Sequence, residues 1–398
     1  MATAQAQASL AETLPGDAAQ ALLVGRAWLP GPEGGPTVVL VRDGRLVDIG
    51  ALAPTLSALL EMDDLAGALR TADGADLGTL QDWLQSTCMH GPDLAQRHLL
   101  APNDLQVVKA AGVTFAESMV ERVIEEQARG DAAKADAVRQ QVVAIVGDYL
   151  AAIRPGSREA AALKELLLAK GLWSQYLEVG IGPDAEVFTK APPMSSLGTG
   201  VRVGLHPRST WNNPEPEVVL AVNSAARIVG VALGNDVNLR DFEGRSALLL
   251  GKAKDNNGAC AVGPFIRVFD GGFGIDDVRS AVVDLEVVGT DGFVLEGSSS
   301  MAKISRDPLD LVEHAMGRYH QYPDGMMLFC GTMFAPIQDR DAPGAGFTHH
   351  VGDRVRISST RLGGLVNWVD HSDAIPPWRF GISALVRSLA ARERNLRS

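Results

Sequence analysis

Cysteine is scarce in this chain of 398 residues: Cys88, Cys260 and Cys330 lie far apart and form no CxxC pair. They offer neither a disulfide framework nor a thiolate zinc site, and a reduced compartment, the cytoplasm, fits them best. Long apolar runs are missing as well. The opening MATAQAQASLAETLPGDAAQ has no basic region leading into an apolar one, and no stretch approaches the roughly 20 residues that cross a bilayer. The expectation is a soluble, unexported protein without a membrane partner. Runs of Lys or Arg are also lacking, and 36 Lys+Arg against 48 Asp+Glu give a net charge of −12. A nucleic-acid partner is disfavoured, because phosphate backbones are met by clustered cations. A small anionic substrate remains open if a metal or a local Lys or Arg supplies positive charge. What is present is a 46% hydrophobic, 21% charged composition, ordinary for a folded globular chain of two to three domain lengths.

Residues 1–20 show little pattern and read as a frayed tail. Two strand-length runs follow, and in the second PTVVLVRDGRLVDIG is broken by Asp43-Gly44, the dipeptide of a type I′ hairpin turn. With a short helical stretch near 54–69, this suggests a small N-terminal β-rich domain over 1–100. From Thr114 the period becomes helical, with Phe115, Met119, Val120, Val123 and Ile124 on one face. Val138, Val142, Ile145, Val146, Tyr149 and Ile153 continue it, and Ser157 opens a third helix that Gly171 closes. The result is a helical insertion at about 115–171 within a second domain, 101–398. From about Glu186 the signal is mainly β, interrupted by one clear helix capped by Asp307 with Pro308 at its first position. Many short strands with Gly-rich turns predict a mainly β, α+β fold with a rolled or barrel-like sheet.

The chemistry concentrates between Asn213 and Pro264. In NPEPEVVLAV, Glu215 and Glu217 are at i and i+2 at the mouth of a strand, so both carboxylates point to one face. Twenty-one residues after Glu215, Asp236 ends the apolar run IVGVALGND. Three carboxylates with no thiolate or imidazole nearby suit a hard, oxygen-loving ion such as Mg²⁺, with Mn²⁺ or Ca²⁺ as alternatives. An isolated Glu-x-Glu is ordinarily a solvated strand face, as Asp284 and Glu286 in VVDLEVVG are taken to be.

The segments GNDVNLRDFEG and GKAKDNNGACAVGP that follow resemble the fumarylacetoacetate hydrolase family, with its ExE pair, NDxxxRD segment and AK segment ending in GP. The resemblance runs from about residue 101 to the end, including Gly331-Thr332 and the closing VGDRVRISSTRLGGLVNWV. It implies that Glu215, Glu217 and Asp236 bind a divalent cation, and that Lys254 is the lysine of the AK segment. NNGACAVGP looks like the NGSCALGP of the branch that dehydrates 2-keto-3-deoxy sugar acids. The histidine of the GxNYxxHxxE segment of hydrolases and decarboxylases falls on Ser118, although Glu121 matches its acidic partner. AEVFTK is similar to PEIFFK of the same dehydratases, which makes Glu186 and Lys190 candidates for the site.

A 2-keto acid offers two oxygens as a chelate, and a cation there stabilises the enolate formed when C3 loses a proton. Lys254, with its pKa lowered by burial, is the candidate C3 base, and Glu186 the acid for the departing C4 hydroxyl; the two roles can be exchanged. Substrate-binding candidates are Arg240, as a carboxylate fork or as a partner of Asp236 or Glu243, together with Thr332, Lys190 and Ser118. Ser118, Arg122 and Glu125 lie one turn apart and suggest a lid. The resemblance implies conversion of a 2-keto-3-deoxy-pentonate to 2-oxoglutarate semialdehyde, 2,5-dioxopentanoate, in oxidative pentose breakdown. It also suggests a homo-oligomer, dimer or tetramer. The alternatives are a hydrolase or decarboxylase of a β-diketo or oxaloacetate-like acid, and a metal-binding scaffold without turnover. GSSSM is not a nucleophile elbow, GTGVRVG lacks dinucleotide-binding spacing, and His349-His350 has no HExxH helix around it.

Overall fold

The computed structural model describes residues 8–31, 34–129, 153–169, 173–334 and 336–397. Its centre is an 11-stranded sheet. In spatial order the strands are Ala75–Thr79, Arg45–Asp48, Gly35–Arg42, Leu23–Leu29, Cys260–Val268, Ile228–Asp236, Pro216–Val222, Met326–Phe329, Val107–Gly112 and Glu186–Ala191, with His98–Leu100 added beside Leu23–Leu29. A 5-stranded sheet runs Val294–Ser300, Val282–Val288, Arg354–Ser359, Gly363–His371, Arg202–Leu205. The fold is mixed and rich in sheet, as expected. The barrel-like closure is not found among the described residues, because the large sheet ends on two different edge strands. Strand content alone carries no information on closure.

Local chemistry explains several elements. Asp43 and Gly44 both have positive φ, 52° and 70°, and Arg42 pairs with Arg45 across them, the hairpin read from Asp-Gly. Asp307 caps the helix Pro308–Ala315 by accepting from the Leu309 N–H at 2.9 Å, while Leu311, Val312 and Ala315 face the core. The 54–69 stretch is two short helices, Leu56–Leu60 and Leu65–Thr71. Residues 1–100 contribute strands to the same large sheet, since Leu23–Leu29 pairs with Cys260–Val268. The tail expected over 1–20 holds, from residue 8 on, a helix Leu10–Thr13 with a Ser9/Glu12 capping box, and Asp17 pairs with Arg267.

Within the expected insertion, the helix Ala116–Ala128 packs Met119, Val123 and Ile124 with Leu177, Ile181 and Trp211. Ser157 accepts from the Ala160 N–H at the start of the helix Arg158–Ala169. The helical pattern from Val138 to Tyr149 and the closing Gly171 fall outside the described residues.

One buried charge cluster anchors the small sheet. Asp353, fully buried, accepts from Arg340 at 2.7 and 2.8 Å and meets His349 Nδ1 at 3.0 Å. Burial pushes its carboxyl up, but the bonds from Arg340 and His349 prevail and bring it from 3.8 to about 2. A depressed folded pKa means that this stabilisation is present above pH about 4 and is lost as pH falls toward 2. Asp353→Asn should destabilise the protein by up to about 3 kcal/mol at pH 7, because it removes the buried partner of Arg340 and leaves it only the exposed Asp291. Urea unfolding at pH 7 and pH 3 checks this, and the difference between wild type and variant should shrink at the lower pH.

Candidate active site

Two adjacent antiparallel strands bring the carboxylates together. Pro216 pairs with Asn235 and Glu217 with Gly234, and the Asp236 N–H donates to the Glu215 carbonyl at 3.1 Å. That register places Glu215, Glu217 and Asp236 side by side at one strand end, each about 1% exposed. Their ligand oxygens lie within 4.8 Å of one another. Asp284, by contrast, is exposed, and Glu286 is half-buried and pairs with Arg354 at 3.0 Å. Strand alternation is common to both pairs; only the first is sealed from water.

Three buried carboxylates repel, and the surroundings show how the charge is balanced. Lys254 Nζ contacts Glu215 and lies 3.0 Å from Asp236 Oδ2. Arg122 contacts Glu215 and lies 2.9 Å from Glu243. Burial pushes the Glu215 carboxyl up, but Lys254 and Arg122 outweigh it and hold it at about 2. Glu217 is driven well above the carboxylate range by burial and by the charges of Asp236 and Glu215, although the Gly331 N–H donates to it at 2.7 Å and Thr332 Oγ1 at 3.3 Å. Gly331 has φ +101°, and a Cβ there would lie 2.0 Å from Thr114 Oγ1, so this N–H is delivered by a position fit only for glycine. All-oxygen donors, full burial and the like-charge repulsion that still acts on Glu217 fit a hard divalent cation.

Glu186, Ser118 and Thr332 line the same small cavity as the triad and Lys254. Burial raises the Glu186 carboxyl pKa despite Arg122 and Lys254. Room for it comes from Gly112, where a Cβ would fall 1.9 Å from Glu186 Oε2. The Ser118 hydroxyl donates to the Phe115 carbonyl at 3.0 Å. The expected lowering of the Lys254 pKa is not found. Burial acts in that direction, but Asp236, Glu215 and Glu243 together hold the ammonium above the ordinary lysine range.

Two assigned substrate contacts do not line the cavity. Lys190, wholly buried, lies 2.8 Å from Asp236 Oδ1 and donates to the Val237 and Lys254 carbonyls, so its three donors face protein acceptors. Arg240 pairs with Glu121 at 2.9 Å and lies 4.4 Å over the Trp211 ring. The sequence placed Arg122 in a lid and Glu243 as a possible partner of Arg240, and named neither as a ligand or substrate contact; both line the cavity itself. The available signal was the i, i+4 spacing of Ser118 and Arg122 on one helix face. The part of the polar side of Ala116–Ala128 that carries Ser118, Glu121 and Arg122 is therefore not solvated: the three are 4, 8 and 8% exposed. A larger groove of about 530 Å³ around Trp83, Met89 and Arg97 lies apart from these residues.

No protein-family model matches the chain. It is 32% identical over 155 residues to 2-dehydro-3-deoxy-D-arabinonate dehydratase of Saccharolobus solfataricus, covering 39% of this chain and 51% of that protein. The chain thus spans about half the length of that relative. It is 24% identical over 273 residues to a probable 2-keto-3-deoxyxylonate dehydratase of Haloferax volcanii, covering 69% and 75%. Among solved structures it superposes on 2-keto-3-deoxy-D-arabinonate dehydratase complexed with magnesium and 2,5-dioxopentanoate, with TM-score 0.58, 20% identity, and 88% and 99% of the two chains covered. Fumarylacetoacetate hydrolase from Exiguobacterium antarcticum gives 0.53, at 16% identity and coverage of 88% and 99%. No described helix is long and apolar enough to cross a membrane. The chain is thus similar in fold to fumarylacetoacetate hydrolase, and two curated relatives are named as dehydratases of 2-keto-3-deoxy-pentonates.

Proposed function

We propose that this chain is a divalent-cation-dependent dehydratase converting a 2-keto-3-deoxy-pentonate to 2,5-dioxopentanoate, a step of oxidative pentose breakdown carried out in the cytoplasm by a homo-oligomer. The supporting observation is the convergence of Glu215, Glu217, Asp236, Lys254 and Glu186 on one buried cavity. The names of the dehydratase relatives agree with it.

Glu215, Glu217 and Asp236 would hold the cation, Mg²⁺ or a similar hard ion. When bound, it supplies positive charge that favours the enolate of a 2-keto acid and offsets the carboxylate field that keeps Lys254 protonated. Lys254 Nζ then takes the C3 proton. Glu186, biased toward its neutral form by burial, gives a proton to the departing C4 hydroxyl, which leaves as water. Tautomerisation of the resulting unsaturated alcohol places the aldehyde at C5, so the net change is loss of one water. Thr332 and Ser118 border the space where the substrate sits. Ser118, whose hydroxyl is turned to the Phe115 carbonyl, stands where hydrolases of the resembling family carry a histidine, which favours dehydration over hydrolytic cleavage.

Glu186→Gln separates the two proton transfers. The variant should slow loss of water more than it slows deuterium exchange at C3, so that enolate forms and returns to substrate. Proportionate loss of exchange and elimination would instead make Glu186 the base or a structural residue, and the roles given to it and Lys254 would be reversed or withdrawn. NMR of the substrate in D₂O, run beside an aldehyde assay, reads both rates.

A further inference from the structure

The cavity wall is strongly anionic, with Glu186, Glu215, Glu217, Asp236 and Glu243 against the two cations Lys254 and Arg122. Besides the divalent cation, these two side chains are the positive charges that a substrate's own carboxylate can meet in the cavity. Lys254 has the proton to move. Arg122 is the planar fork, and it spans a metal-triad carboxylate, Glu215, and one outside the triad, Glu243. The helix that carries it is fastened by a crossed arrangement: Glu121 pairs with Arg240 at 2.9 Å, and its neighbour Arg122 pairs with Glu243 at 2.9 Å, three residues further along the same short helix Arg240–Glu243.

We propose that Arg122 is the substrate-carboxylate contact of this site and that Glu243 is its positioning residue. The assignment rests on the dehydratase reading for the class of ligand, a 2-keto acid. When Glu215 is engaged by the divalent cation, the guanidinium edge that faces it exchanges one carboxylate for another, that of the substrate. Glu243 keeps its own hold, so the fork does not swing away. A lysine cannot do this, because an ammonium lacks the rigid pair of parallel donors that a carboxylate matches.

The test is calorimetric, on the full chain. The probes are Mg²⁺ alone on cation-stripped protein, and 2-oxobutanoate, a 2-keto acid with no C4 hydroxyl to lose, on the Mg²⁺-loaded protein. Arg122→Met should weaken 2-oxobutanoate binding at least about tenfold, the loss expected for a charged hydrogen-bonded contact. Its Mg²⁺ affinity should be unchanged or tighter, since a competitor for Glu215 is gone. Arg122→Lys and Glu243→Gln should each weaken 2-oxobutanoate by about three- to tenfold, and KM should follow with kcat nearly constant, as for lost ground-state binding. Should Arg122→Met fail to fold by circular dichroism, these two variants decide on the same criteria. Wild-type affinity for 2-oxobutanoate, or a parallel loss of Mg²⁺ affinity, overturns the assignment. A wild-type chain that binds 2-oxobutanoate through Arg122 yet dehydrates no sugar acid would uphold this inference and remove the dehydratase reading alone.

Discussion

Glu217→Ala is expected to bind no Mg²⁺ and to show no divalent-dependent turnover while keeping its fold. Burial and the charges of Asp236 and Glu215 push Glu217 toward neutrality, so its removal relieves repulsion and leaves chiefly the Gly331 N–H and the Thr332 hydroxyl to find other partners. Loss of one of three carboxylates from a site of this kind removes both a ligand and a unit of charge that a hard cation needs. Calorimetry with Mg²⁺ and circular dichroism on the same sample distinguish a lost site from a lost fold. Full activity in this variant would withdraw the metal assignment for all three residues.

Lys254→Met should lower kcat by at least about 10², the scale of a lost general base or acid, while substrate still binds. Methionine keeps the apolar stem. The buried charges that Lys254 contacts are not all stranded, because Lys190 remains beside Asp236 and Arg122 beside Glu215. Exchange at C3 followed in D₂O then assigns the role. Exchange that stops with turnover makes Lys254 the base, and exchange at the wild-type rate makes another group the base.

The triad was legible only from the motifs around it: that i, i+2 carboxylates share a strand face holds equally for Asp284 and Glu286, and the resemblance carried by GNDVNLRDFEG and GKAKDNNGACAVGP singled out Glu215, Glu217 and Asp236. Lys254 was legible from its motif, but its protonation was not, since the charges that hold the ammonium include Glu243, and that carboxylate's approach depends on how a short helix folds back. Arg240 and Lys190 show the main limit. A cation near a motif reads as a substrate contact, yet the partner of Arg240 is Glu121, 119 residues away, and Lys190 serves a carbonyl 64 residues on. Long-range pairing of this kind leaves no local pattern. The same holds for the first twenty residues, where a four-residue helix is too short for periodicity and Asp17 is anchored by Arg267 from the far side of the chain. For Arg122 the pattern was visible but ambiguous, because a polar helix face reads alike whether it meets water or a buried site.

On the proposed reading, the buried carboxylate site, loaded with a divalent cation, removes water from a 2-keto-3-deoxy sugar acid. The direct measurement is formation of 2,5-dioxopentanoate from 2-keto-3-deoxy-pentonate by the purified full chain, with Mg²⁺ and after EDTA treatment. Aldehyde is expected with Mg²⁺, none after EDTA, and recovery when Mg²⁺ is restored. Equal aldehyde formation in EDTA, cleaved acids in place of the aldehyde, or no product from either C4 epimer with Mg²⁺ present would contradict it.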